Sequence, residues 1–303
     1  MYENILVPLD GSELAEVALP YAEEFAGTLG SEVSLLAISE SAATEHYHEH
    51  LTYILKMAEA TRHTAERHLE KPQKAIKVES RILVGDPAEE IVDYADKADV
   101  SLIVMATHGR SGIRRWALGS VADKVVRATK RPVLLVRARG ARPDVREKGM
   151  LNRALLCLDG SEQGEAAIPY AGELASKLKA EVVLLHVVAR PYHIYEGVRV
   201  PYSDEEVKPL EANAERYLKE VSEGLRRKGI SVKFEVRVGD GAEEIIRFAD
   251  EIYADLVAMS THGQTGISRW VFGSVTDRVL HAGNTPLLLV RTPGAEVESL
   301  SGS

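Results

Sequence analysis

The chain has 303 residues, long for one ordinary domain and comfortable for two, and its 45% hydrophobic and 27% charged residues exclude extended disorder and fibrous repeats. A formal net charge of −9 speaks against nucleic acid as the main partner, because a phosphate backbone asks for a basic surface. A single cysteine, Cys157, excludes a disulfide framework within the chain. With no leader pattern and no apolar run near the roughly 18 residues of a membrane helix, a cytoplasmic protein without a membrane span is expected.

Residues 5–9 read as a short apolar strand, ended by Asp10-Gly11-Ser12 as a turn and helix start. Leu14, Val17, Ala18, Tyr21, Ala22, Phe25, Ala26 and Leu29 then recur at helical spacing, with Pro20 expected to kink that helix. Residues 33–38 form a second strand, Leu51 to Leu69 mark a second amphipathic helix, and residues 76–84 alternate as a third strand. Asp86-Pro87-Ala88-Glu89 is a helix start, with Asp as cap, Pro at the first position and Glu three residues after the cap. Residues 102–106 are a fully apolar fourth strand, followed by a Gly-rich loop, a helix from about Ser120 and a fifth strand at 133–136. Strand–helix alternation with apolar strands implies an α/β fold, a parallel sheet with helices on both faces.

This pattern occurs twice. LVPLDGSE at 6–13 returns as LLCLDGSE at 155–162, an offset of 149, and the stretch 19–38 returns at 168–187 with the same offset. GDPAEEI at 85–91 returns as GDGAEEI at 239–245, and residues 106–126 return at 260–280 with 12 of 21 positions identical, both at offset 154. The change of offset places a five-residue insertion within 189–234, where Pro191, Tyr192, His193, Tyr195, Pro201 and Tyr202 cluster. Two copies of one domain follow, 1–138 and 151–292, joined by a polar linker at 139–150 and followed by a disordered tail at 293–303.

Open parallel sheets bind ligands beyond the carboxyl ends of their strands. Asp10 and Asp159 stand at such ends, and the loops beginning His108-Gly109 and His262-Gly263 follow the fourth strands and lead to Gly119-Ser120 and Gly273-Ser274. A helix start there offers unpaired N–H groups and partial positive charge to a phosphate. The bland alternative is local: Ser120-Val121-Ala122-Asp123 and Ser274-Val275-Thr276-Asp277 also fit helix capping, and each Asp, or Ser12 and Ser161 beside it, fits a helix cap.

With these motifs the chain resembles a tandem member of the ATP-binding branch of the universal stress protein family. Its pattern Gly-x2-Gly-x9-Gly-(Ser/Thr) maps onto Ala106, Gly109, Gly119 and Ser120, and onto Ser260, Gly263, Gly273 and Ser274, the first glycine being replaced in both copies. The resemblance implies two Rossmann-like (adenine nucleotide alpha-hydrolase-like) domains, each a five-stranded parallel sheet of strand order 3-2-1-4-5. It implies a nucleotide held by Pro8, Asp10, Ile38, Ala106, His108, Gly109, Gly119, Ser120 and Val121 in copy one. In copy two it implies Asp159, Val187, Ser260, His262, Gly263, Gly273, Ser274 and Val275. Asp10 and Asp159 would accept hydrogen bonds from the adenosine, and Ile38 and Val187 match the adenine-contacting position. The family's last strands pair antiparallel, so residues 133–136 and 287–290 are expected to cover each other. ATP, with or without Mg2+, is the implied cofactor. A homodimer and an unidentified regulatory protein partner are left open.

Other residues fit packing or surface roles as well as chemistry. Pro8 is answered by Cys157, which no basic neighbour activates. His46, His48 and His50 spell a zinc-like spacing that copy two lacks, and a solvated helix start explains them as well. Trp116 and Trp270 suit packing, and Arg115 and Arg269 suit either a phosphate or the surface. The role implied is regulatory. A slow ATPase or an adenylating or kinase-like enzyme at the same site, or a scaffold for another ligand, remain the alternatives. No Gly-x4-Gly-Lys-(Ser/Thr) loop and no recurring carboxylate pair favours the enzyme.

Overall fold

The structure, a computed structural model, describes residues 1–41, 45–68, 76–107, 118–137, 149–195, 198–262 and 272–292. Residues 139–148 of the expected linker at 139–150, and the tail at 293–303, lie outside them. The chain forms two compact units, one built on Met1–Met150 with the described part of Pro286–Ser303, the other on Leu151–Ile267 and Phe272–Thr285.

In unit 1 the chain runs β1 (Asn4–Leu9), α1 (Glu13–Glu16), α2 (Leu19–Leu29), β2 (Glu32–Ser39), α3 (Glu45–Arg67), β3 (Val78–Val84), α4 (Pro87–Lys97), β4 (Leu102–Ala106), α5 (Ser120–Ala128) and β5 (Val133–Val136). The parallel ladders β3–β2, β2–β1, β1–β4 and β4–β5 give the expected order 3-2-1-4-5. Ile5, Leu6 and Val7 of the central strand and Leu102, Ile103 and Val104 beside it have no exposed surface, so β1 and β4 form the core of the unit. Each is a continuous apolar run because helices cover both faces of the sheet.

Pro20 breaks the first helix rather than kinking it. The α1 helix ends at Glu16 and α2 starts afresh at Leu19, with Pro20 in its first turn. A proline ring would collide with the carbonyl four residues back, which is Glu16, while a first turn has no use for the missing N–H.

Unit 2 repeats the plan with β6 (Arg153–Cys157), a 3-10 turn at Gly164–Ala167, α6 (Ile168–Leu178), β7 (Glu181–Val188), α7 (Asp204–Arg226), β10 (Val232–Val238), α8 (Gly241–Glu251), β11 (Leu256–Ser260) and α9 (Ser274–Ala282). Here too the proline, Pro169, stands in the first turn of the second helix. The ladders β10–β7, β7–β6 and β6–β11 are parallel and reproduce 3-2-1-4. The insertion folds as an antiparallel hairpin, β8 (Tyr192–Tyr195) with β9 (Val198–Pro201). His193 stacks on Tyr202 at 4.4 Å and its Nε2 lies 2.7 Å from Glu206 Oε1, joining the hairpin to the capping box of α7.

The last strand of the second repeat, β12 (Leu287–Val290), belongs to unit 1, where it runs antiparallel to β5 with Leu288 opposite Leu134. This is the pairing expected of the last strands, and it leaves the β5 edge covered. Arg291, just beyond it, donates to the carbonyls of Val126, Arg127 and Thr129 at the end of α5, where a cation complements the helix dipole. No helix among the described residues is long and apolar enough to cross a membrane.

Candidate functional site

At the carboxyl end of β1 the chain must turn sharply, and Gly11 takes φ 82°, with Gly160 at φ 78° in the same place of unit 2. Only glycine adopts this conformation without strain. The turn lets Asp10 Oδ1 accept from the Ser12 amide at 3.0 Å and from its hydroxyl at 2.6 Å. Asp159 and Ser161 repeat both bonds at 3.0 and 2.6 Å. Ser12 Oγ in turn accepts from the Ala15 amide at 3.2 Å, and Ser161 Oγ from the Gly164 amide at 2.9 Å. Ser12 is therefore the cap of α1, Ser161 makes the matching bond ahead of the 3-10 turn whose cap position is Gln163, and each Asp orients its serine. Ser12→Ala should cost about 1 kcal/mol of stability, read from denaturant unfolding, and an unchanged midpoint would refute the cap.

The second wall comes from the fourth strand and the helix after it. The Gly119 amide donates to the Thr107 carbonyl at 2.8 Å, and the Gly273 amide to Thr261 at 3.0 Å, so the ends of each loop are clasped together. The loop interiors, with His108, Gly109, Arg115, Trp116, Gly263, Arg269 and Trp270, lie outside the described residues. The capping alternative for Ser120 is corrected. The cap is Gly119, which has no side chain to give; Ser120 is the first helical residue, and Asp123 pairs with Arg127 Nε at 2.9 Å instead of reaching back. The first N–H groups of α5 consequently have no side-chain acceptor at the cap position.

Between these walls unit 1 contains a cleft of about 300 Å³ lined by Pro8, Leu9, Asp10, Ala15, Ile38, Pro87, Ile91, Met105, Ala106, Thr107, Gly119, Ser120, Val121 and Ala122. All seven copy-one residues expected at the site that fall within the described residues line it: Pro8, Asp10, Ile38, Ala106, Gly119, Ser120 and Val121. Sequence reasoning missed Ile91, Met105 and Ala122, whose apolar spacing marks a buried face without saying which members of it border a cavity. Thr107 had a usable signal, because a polar residue directly after an apolar parallel strand stands at the ligand-bearing edge.

In unit 2, Ser260 donates its hydroxyl to the His262 carbonyl, His262 Nδ1 lies 3.1 Å from Thr261 Oγ1, and Val275 is 37% exposed at the start of α9. Cys157 is buried, and burial pushes its thiol pKa up, which suits packing and disfavours thiolate chemistry. His186, next to Val187 on β7, meets the Tyr217 ring edge-on at 6.2 Å. Burial holds the His186 imidazole below its usual pKa, opposed by the charge of Asp159. The second repeat thus places a titratable ring where the first has Ala37.

His48 is exposed on α3, while the side chain of His46 lies outside the described residues. Among the described residues no group of three His, Cys, Asp or Glu side chains is disposed to hold a metal.

The chain is similar to known proteins in both repeats. The model of the universal stress protein family matches residues 1–137 and again 150–291. Universal stress protein MJ0577 of Methanocaldococcus jannaschii is 30% identical over 161 residues, covering 46% of this chain and 98% of that protein. Universal stress protein Slr1230 of Synechocystis is 22% identical over 312 residues, covering 95% of this chain and 100% of that protein. The crystal structure of a universal stress protein from Archaeoglobus fulgidus superimposes with a TM-score of 0.69 at 21% identity, over 96% of this chain and 99% of that one, which speaks for the fold.

Proposed function

Because the chain belongs to the universal stress protein family, we propose that the unit 1 cleft binds an adenine nucleotide, ATP in the first instance, and that its occupancy regulates the protein. The observation that carries this reading is the convergence of the seven described residues of the expected copy-one set, from the ends of β1, β2 and β4 and the start of α5, on one cleft. Its chemistry suits the ligand in parts. Ile38, Ile91, Met105 and the two prolines offer apolar walls to a purine. Asp10, an acceptor, suits ribose hydroxyls and would repel phosphates. The start of α5, with Gly119 and the Ser120 hydroxyl, suits the phosphates through N–H donors and the helix dipole. Mg2+ would enter with the phosphates it neutralises.

Regulation requires that the nucleotide favour one conformation or one partner complex by differential affinity. The resemblance supports the regulatory role, and the internal repeat supports domains bounded at 138 and 151. The test is mass-spectrometric identification of nucleotide released from the purified chain, with calorimetric titration of ATP. The expected result is bound adenine nucleotide and saturable binding, and the absence of both overturns the reading.

A further inference from the structure

The two repeats can be compared position by position at the offset of 154 residues, and they differ at the walls of the cleft. Ala106 and Ala122 present two methyl groups to the cleft of unit 1. Their counterparts are Ser260 and Thr276, and the Thr276 hydroxyl donates to the Ser260 carbonyl at 3.0 Å, tying α9 to the end of β11. Both residues are buried, as Ala106 and Ala122 are, but they add heavy atoms and a helix-to-strand bond where unit 1 has only methyl groups.

Pro87 and Val121 line the mouth of the unit 1 cleft from α4 and α5. Gly241 replaces the proline, and Val275 settles against the bare backbone: a Cβ on Gly241 would lie 3.1 Å from Val275 Cγ2. The same two helices are held differently. Lys124 Nζ stands 3.8 Å from Asp86 in unit 1, whereas Arg278 reaches Asp240 at 2.6 Å and Glu243 at 3.2 Å in unit 2. An arginine fork spanning two carboxylates fixes the distance between α9 and the start of α8 in a way that one lysine does not.

We infer that the repeats are unequal: the chain takes up one adenine nucleotide, in unit 1, and the equivalent space in unit 2 is drawn shut by Val275 on Gly241, by the Thr276–Ser260 bond and by Arg278. This rests on the reading of the unit 1 cleft as a nucleotide site. Thr276 commits its hydroxyl to the Ser260 carbonyl and Ser260 commits its own to the His262 carbonyl, where a ligand would otherwise meet them. A nucleotide entering unit 2 would have to break a buried bond and part the two helices, so its affinity there should be at least about a hundredfold weaker.

Calorimetric titration of the full chain with ATP is expected to give one equivalent. Two equivalents of comparable affinity overturn the inequality and leave the nucleotide reading standing, whereas none overturns the nucleotide reading itself. Photolabelling of the wild type with 8-azido-ATP, followed by peptide mapping, is expected to mark residues within 1–137, and label confined to 150–291 overturns the assignment. The quadruple variant Gly241→Pro, Ser260→Ala, Thr276→Ala, Arg278→Lys gives unit 2 the unit 1 identities at these four positions and should add a second equivalent. A folded quadruple variant still at one equivalent overturns the closure by these residues. Should that variant fail to fold, the wild-type stoichiometry and the label position decide the matter without it.

Discussion

Ser120→Asp should weaken ATP binding by about a hundredfold or more while leaving the fold intact or slightly more stable. Ser120 is the exposed first residue of α5, behind a Gly119 cap that offers no side chain. A carboxylate in the first turn of a helix favours the dipole, by about 0.3–1 kcal/mol. The same carboxylate would face the phosphates that the proposed site draws to this turn. At an effective dielectric near 20, two like charges 4 Å apart repel by about 4 kcal/mol, and partial solvent screening leaves about 3 kcal/mol, or roughly a hundredfold in affinity. Stability and binding therefore move in opposite directions, which general damage to the fold would not produce. Thermal melts and ATP titrations on the same preparation give the comparison. Unchanged affinity in a folded variant would show that phosphates do not approach α5. Ser274→Asp at the matching position of unit 2 is the control, and binding should change by less than about twofold if the nucleotide occupies unit 1 alone.

The sequence was informative where one local rule decided the outcome. Residues 102–106, 133–136 and 287–290 are apolar runs too short for helices, and each became a strand with those bounds. Asp86 caps α4 as its Asp-Pro-x-Glu spacing implies, accepting from the amides of Ala88 and Glu89 at 2.9 and 3.2 Å. The break at Pro20 leaves no mark on the periodicity, because apolar residues keep helical spacing across it: Ala18 is buried and Val17 half-buried although the helix has stopped. The hairpin in the insertion has no signature in the sequence, since Val198, Val200 and Ile194 are exposed and its short strands carry no burial pattern.

For the site, one repeat served as context for the other, and seven residues fell in one cleft. The same parallelism hid the difference between the repeats. Ala106 against Ser260, or Pro87 against Gly241, is a small change in sequence. Its effect depends on Thr276 and Val275 reaching those residues across a helix–strand boundary, and only the three-dimensional structure shows that reach.

Glu23→Gln should stabilise unit 1 by about 2 kcal/mol at pH 8 and by close to nothing at pH 4. Glu23 lies on α2, and burial lifts its carboxyl from 4.5 to about 7, against the pull of the Arg67 guanidinium. A raised acid pKa means that the folded state resists ionisation. Below pH 4.5 the side chain is neutral in both states and the wild type has its full stability. Between 4.5 and about 7 the unfolded chain loses its proton while the folded chain keeps it, so stability falls; above about 7 the loss is complete. The full shift corresponds to about 3 kcal/mol, and the partial exposure of Glu23 to solvent reduces this to about 2 kcal/mol. Glutamine keeps the shape and hydrogen-bonding capacity of the neutral acid and removes the titration. The difference in melting temperature between variant and wild type should therefore open from near zero at pH 4 to about 4–8 °C at pH 8. A constant difference across that range, or one that closes as the pH rises, would show that Glu23 is ionised in the folded protein throughout and is held by Arg67 rather than opposed by burial.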